Sequence, residues 1–95
     1  MSSIFGKNTR NRSSIEIIVD MLKVISRGGS KKTHIMYRSN LNTLQLRRYI
    51  QYAVAKGLVH EIRDGGNNRN SVRYRLTKKG REFIELYDQM IRIIK

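Results

Sequence analysis

The feature that most constrains this 95-residue chain is a helix that stops on one glycine and becomes a strand at once. Residues 42–59 read "NTLQLRRYIQYAVAKGLV". Asn42 is placed to cap the helix, with Gln45 three residues on as its capping-box partner. Leu46, Ile50 and Ala53 follow at spacings of four and three, which defines one buried face bordered by Val54. Gly57 supplies the left-handed stop. With that face turned inward, Thr43, Leu44, Arg47, Arg48 and Gln51 point outward, and no acid stands near the two arginines.

What surrounds this helix limits the fold further. Upstream, "SKKTHIMYRSN" predicts a helix of about two turns, with Ser30 positioned as a cap and Ile35 and Met36 turned inward. Asn40-Leu41-Asn42 makes a tight turn anchored by Leu41. Downstream, "LVHEI" and "SVRYRL" are strands. In the second, Val72, Tyr74 and Leu76 alternate with Arg73 and Arg75, the period of a half-buried strand. "RDGGNNRN" between them is hairpin chemistry. Ser13, with Glu16 at capping-box spacing, opens an earlier helix in which Ile15, Ile18, Leu22 and Ile25 form one apolar stripe and Ile17, Met21 and Val24 a second. Thr77 caps a last helix, "KKGREFIELYDQMIRIIK", with a stripe of Phe83, Tyr87, Met90 and Ile94 and with Ile84, Ile91 and Ile93 on adjacent faces.

The order is helix, helix, helix, hairpin, helix. The expected fold class is α+β, mainly α: a winged helix-turn-helix of three helices, a two-stranded wing and a C-terminal dimerisation helix. Residues 1–12 read as a basic arm that either lies along a partner or stays disordered, 13–76 as the binding domain, and 77–95 as the dimerisation helix.

Charge says what such a domain meets. The chain has 20 Lys+Arg against 7 Asp+Glu, a formal net charge of +13. No acid occurs between Asp20 and Glu61, an interval holding Lys23, Arg27, Lys31, Lys32, Arg38, Arg47, Arg48 and Lys56. That balance points to nucleic acid, and less to an anionic membrane surface. In this fold the second helix of the pair lies in the major groove. Arginine there can bond guanine N7 and O6, and glutamine adenine N7 and N6. Arg47 and Arg48 are not distinguished as base reader and phosphate clamp, and Leu44 either touches a thymine methyl or fills the corner beside Leu41. Ser30, Lys31, Lys32 and Thr33 are candidates for phosphate contact at the preceding helix. Arg63, Arg69, Arg73 and Arg75 suit the wing over residues 63–73, on an adjacent minor groove or backbone.

Other classes are not indicated. His34 and His60 lack metal-ligand or catalytic spacing, and "RGGS" and "DGGNN" lack a P-loop context. There are no cysteines, so thiolate metal sites are excluded. No cofactor or small-molecule pocket is legible. With no apolar run of membrane-span or signal-peptide length, a cytoplasmic, nucleoid-associated protein is expected.

"KKTHIMYRSNLNTLQLRRYIQYAVAKGLV" followed by "YRLTKKGREFIELY" resembles the archaeal winged-helix proteins of the Sulfolobus 10a type and related predicted archaeal transcriptional regulators. These carry a similar Thr-x-Ile-Met-Tyr, Asn-Leu, Tyr-Ile and Leu-Thr-x-Lys-Gly series, and the similarity covers residues 14–87. The resemblance implies winged heads that bind double-stranded DNA and a homodimer made through the C-terminal helix. By position it puts Thr33, Arg47 and Arg48 on the DNA side, and Tyr49 and Ile50 in the core. The hairpin tip is longer and more basic here, and the last helix runs only fifteen residues past Gly80, so a long DNA-bridging rod is not expected. Ile17, Met21 and Val24 on the first helix, with Phe83, Tyr87, Met90, Ile91 and Ile94 on the last, are the expected dimer surfaces. The alternative is that these two helices cover each other within one chain. The function expected is a sequence-specific regulator; the alternative is an architectural, chromatin-like protein of little sequence preference.

Overall fold

The computed structural model describes residues 12–63 and 72–95. The elements are α1 (Ser14–Ser26), α2 (Lys32–Arg38), α3 (Thr43–Ala55), β1 (Val59–Arg63), β2 (Val72–Leu76) and α4 (Lys78–Ile94). The strands form an antiparallel hairpin in which Val59 pairs with Leu76, Glu61 with Tyr74 and Arg63 with Val72. This is the winged helix-turn-helix architecture expected from the residue pattern.

Helix starts follow local chemistry. Ser13 and Glu16 form a reciprocal capping box on α1, and Asn42 and Gln45 another on α3, each satisfying backbone N–H groups that the helix leaves without partners. α2 differs from expectation. Its N-cap is Lys31, with no side-chain cap bond. Ser30 does not cap because its backbone is used elsewhere: its carbonyl accepts the Tyr74 N–H at 2.9 Å, and Lys31 bridges to Arg73. The chain entering α2 therefore lies against the hairpin.

α1 lies at the centre, packing on α2, α3, α4 and β2. Eight of its thirteen residues are buried. An apolar surface on most sides of a helix demands cover on most sides, and the chain supplies it. Ile17, Met21 and Val24 are 7%, 0% and 8% exposed. They are core residues, so the dimer surface expected on α1 is occupied by the chain itself. Ile15, read with the other stripe, instead stands exposed in the first turn.

The end of α3, the start of β1 and the start of α4 are joined at one point. Gly57, at φ +75°, turns the chain out of α3, a conformation that costs a side chain dearly. Thr77 accepts the Gly80 N–H at 3.0 Å, and its hydroxyl lies 2.6 Å from the Gly57 carbonyl and 2.9 Å from that of Leu58. Gly80 permits this approach: a Cβ there would sit 2.3 Å from the Leu58 oxygen and 2.7 Å from Leu76 Cδ1. Because the nearest obstacle is backbone, Gly80→Ala is expected to lower stability by about 1–3 kcal/mol, as overpacking does. Urea denaturation followed by circular dichroism should show a lower midpoint at an unchanged slope.

Candidate nucleic-acid interface

Once Leu46, Ile50 and Ala53 are committed to the core at 5%, 4% and 0% exposure, the outward face of α3 is fixed. Thr43, Leu44, Arg47, Arg48 and Gln51 are all exposed on it. Helical geometry sorts them into two neighbouring ridges. Thr43, Arg47 and Gln51 make one, while Leu44 and Arg48 make the next. Tyr49 is half-buried, its hydroxyl 3.2 Å from Ser14 Oγ.

The first ridge borders a cleft of about 490 Å³ between α3 and the hairpin, whose other polar walls are Lys32, Glu61, Arg63 and Tyr74. Leu44 and Arg48 lie outside it. Lys31, Lys32 and Thr33 are exposed at the start of α2, and Ser30 is half-buried. Among the described residues, none of Lys31, Lys32, Arg47 and Arg48 has an ion-pair partner.

The described wing arginines do not share one face. Strand alternation and pairing place Arg63 with Val59, Glu61 and Tyr74 on the face toward α3, and Arg73 and Arg75 on the opposite face with His60 and Ile62. Arg69 lies outside the described residues, as does the arm apart from its final residue. Arg12 is anchored: it pairs with Asp20 at 2.8 Å and donates to the Asn40 carbonyl at 3.2 Å. It thereby ties α1 to the turn before α3.

Three carboxylates gather at the seam between α1 and α4. Glu16, Asp20 and Asp88 surround Tyr87, whose phenol is pushed above its usual value by burial first and by those three charges next. Lys23 pairs with Asp88 at 3.0 Å across the α1–α4 seam.

Two features were not anticipated. Leu86, which the residue pattern did not single out, is 64% exposed on α4, and Ile93, read on an adjacent face, is 81% exposed, so both are more open than the members of the stripe. Glu61, absent from the expected contacts, lines the cleft; the same two-residue alternation that turned Tyr74 inward identifies it. Among the described residues, no helix is long and apolar enough to cross a membrane, and no cluster of His, Asp or Glu is arranged to hold a metal.

Residues 11–95 match the family described as Winged helix-turn-helix. The chain belongs to that family. A curated relative of this winged-helix chain is an uncharacterized protein of Methanocaldococcus jannaschii, 29% identical over 90 residues that cover 93% of this chain and 84% of that protein. A second uncharacterized protein of the same organism is 34% identical over 83 residues, but the chain spans only 36% of its length. Among solved structures, Sso10a-2, a DNA-binding protein from Sulfolobus solfataricus, superposes with a TM-score of 0.74 at 20% identity, over 86% of this chain and 81% of that one. The transcriptional regulator BldR, also from Sulfolobus solfataricus, gives 0.72 at 23% identity, over 95% and 62%. At these identities the structural likeness establishes the fold, and it agrees with the resemblance read from the sequence.

The cleft also carries a pH signature. Tyr74 stands opposite Glu61 in the strand pairing, and its phenol is raised above its usual 10.0 by burial first and by Glu61's charge next. Below pH 10 the phenol is neutral in both folded and unfolded chains, and the stabilisation is complete. As pH rises past 10 the unfolded chain loses the proton first, so stability falls until the folded phenol ionises too. Tyr74→Phe is expected to flatten this alkaline decline, measured as thermal midpoint against pH from 9 to 12.

Proposed function

We propose that this protein is a sequence-specific double-stranded DNA-binding protein that acts as a transcriptional regulator. α3 enters the major groove, and the wing over residues 63–73 meets an adjacent minor groove or the backbone. The observation that carries the reading is the outward face of α3, where two arginines without ion-pair partners among the described residues stand with Thr43, Leu44 and Gln51. A surface built only to hold phosphate needs cations; side chains that can address base edges are what discrimination adds. The family and the two Sulfolobus neighbours support a DNA partner, and nothing in the reading calls for a catalytic step.

Roles follow from the ridges. Arg47, flanked by Thr43 and Gln51 at the cleft, is assigned to a base edge. Arg48, on the outer ridge, is assigned to phosphate with Lys31, Lys32 and Thr33. Arg63 reaches DNA from the cleft side; Arg73 and Arg75, on the opposite face of the hairpin, contact it only where the wing is enclosed by a groove. Residues 13–76 form the binding head, and 77–95 pair with a second copy through the exposed apolar side chains of α4.

Fluorescence anisotropy with a random duplex and a site selected from a pool, at several salt concentrations, tests this. The selected site is expected to bind about a thousandfold tighter or more at equal salt. Arg47→Ala should weaken the selected site by about tenfold while changing the random duplex much less. Arg48→Ala should weaken both alike and reduce the slope of log affinity against log salt by about 0.9. Equal binding of both duplexes with a steep slope would make the protein architectural instead.

The oligomer is tested by size-exclusion chromatography with light scattering. A dimer mass is expected at micromolar concentration, reduced to a monomer by the pair Met90→Glu and Ile93→Glu. A monomer mass for the unaltered chain refutes the pairing.

A further inference from the structure

Glu61 is the one feature of the cleft that phosphate binding does not account for. It is the only carboxylate among the described residues that line the space shared by Arg47, Lys32 and Arg63. It also ends a run of forty residues, 21–60, that contains no acid. Its position is defined from two sides. Tyr74, itself 3% exposed, stands beside it across the hairpin, and Arg63 Nη2 lies 3.2 Å from its Oε2. The Tyr74 contact is built into the strand register, because Glu61 and Tyr74 are directly paired.

A fixed negative charge facing a polyanion weakens every phosphate contact nearby. A surface selected for grip alone does better without it. The charge is repaid where DNA offers a donor, and in the major groove the donors are the exocyclic amines: cytosine N4, which carboxylates accept from, and adenine N6. Phosphates, guanine O6 and N7, and thymine O4 are acceptors only, and a carboxylate repels them. Arg47 has the opposite preference and lines the same cleft. A cation and a carboxylate lining one cleft match a G·C pair, whose guanine edge accepts and whose cytosine edge donates.

We propose that Glu61 is a specificity-determining residue of the interface. It excludes phosphate from the cleft and accepts a hydrogen bond from a base amine, cytosine N4, next to the guanine edge read by Arg47. The inference rests on the DNA-binding function proposed above and adds a partner for one base.

The test is parallel site selection from a randomised duplex pool with the unaltered chain, Glu61→Gln and Tyr74→Phe. It is followed by anisotropy on each chain's selected site and on a random duplex. Glu61→Gln keeps the shape but removes the charge. It is expected to bind the random duplex about threefold to tenfold tighter, since one repulsive charge is gone. Its selected-to-random ratio should fall about tenfold, with a G·C preference lost at one position. Tyr74→Phe leaves the charge but removes the hydroxyl of its cross-strand neighbour, so the same position should weaken, by a smaller factor. If Glu61→Gln selects the same consensus with an unchanged ratio, the proposal is wrong and Glu61 is merely a charge at the rim. If the unaltered chain itself selects no site, both the proposal and the function beneath it fail; that outcome is recognised before any variant is compared.

Discussion

Everything else in the molecule depends on how completely α1 is enclosed. A helix apolar on most sides cannot sit at a surface, so it must be surrounded. In a chain this short, the surroundings have to come from every other element. α2, α3, α4 and β2 each give one face to α1, and each is left with a single free face. The recognition surface is a consequence: α3 turns Leu46, Ile50 and Ala53 inward, and whatever stands at the remaining positions is presented to a partner. Its composition can then be set by binding, because packing makes no demand on it.

The same enclosure separates charge. Glu16, Asp20 and Asp88 lie along α1 and α4, where Arg12 and Lys23 answer two of them. Lys31 and Lys32 at the start of α2 and Arg47 and Arg48 on α3 have no such answer among the described residues. Cations left without partners cost the free protein self-repulsion and favour a polyanion that relieves it. One carboxylate placed inside that field works against general attraction, which is why Glu61 bears on discrimination and not on grip.

Much of this was legible in the residues, and the reason is locality. The boxes at Ser13–Glu16 and Asn42–Gln45, the stop at Gly57 and the alternation of Val72, Tyr74 and Leu76 are all decided within a few residues of themselves. What was not legible required knowing what lies opposite. Periodicity shows that α1 has two apolar stripes, but it does not say whether the second meets the chain or another copy. Composition makes Ser30 a good cap, but its carbonyl is claimed by Tyr74, more than forty residues away. Arg63, Arg73 and Arg75 look equivalent as basic residues of one hairpin; parity in the strands separates them, and it separates Glu61 as well.

The closure of α1 also restricts how two copies can meet. An exchange in which α1 of one chain packs on α4 of another would require Ile17, Met21 and Val24 to leave the core, at about 1.5–3 kcal/mol for each side chain uncovered. What remains open is on α4 itself: Leu86, Met90, Ile93 and Ile94, 40–81% exposed. The first three are spaced four and three apart, so they share one face. A single stripe of this kind is self-complementary across a two-fold axis, which is the pairing proposed for it. Four side chains are a small contact beside a standard interface, so the pairing proposed here is concentration-dependent. A duplex holding two half-sites would then strengthen it, since DNA that favours two heads bound together favours the α4 contact by the same free energy.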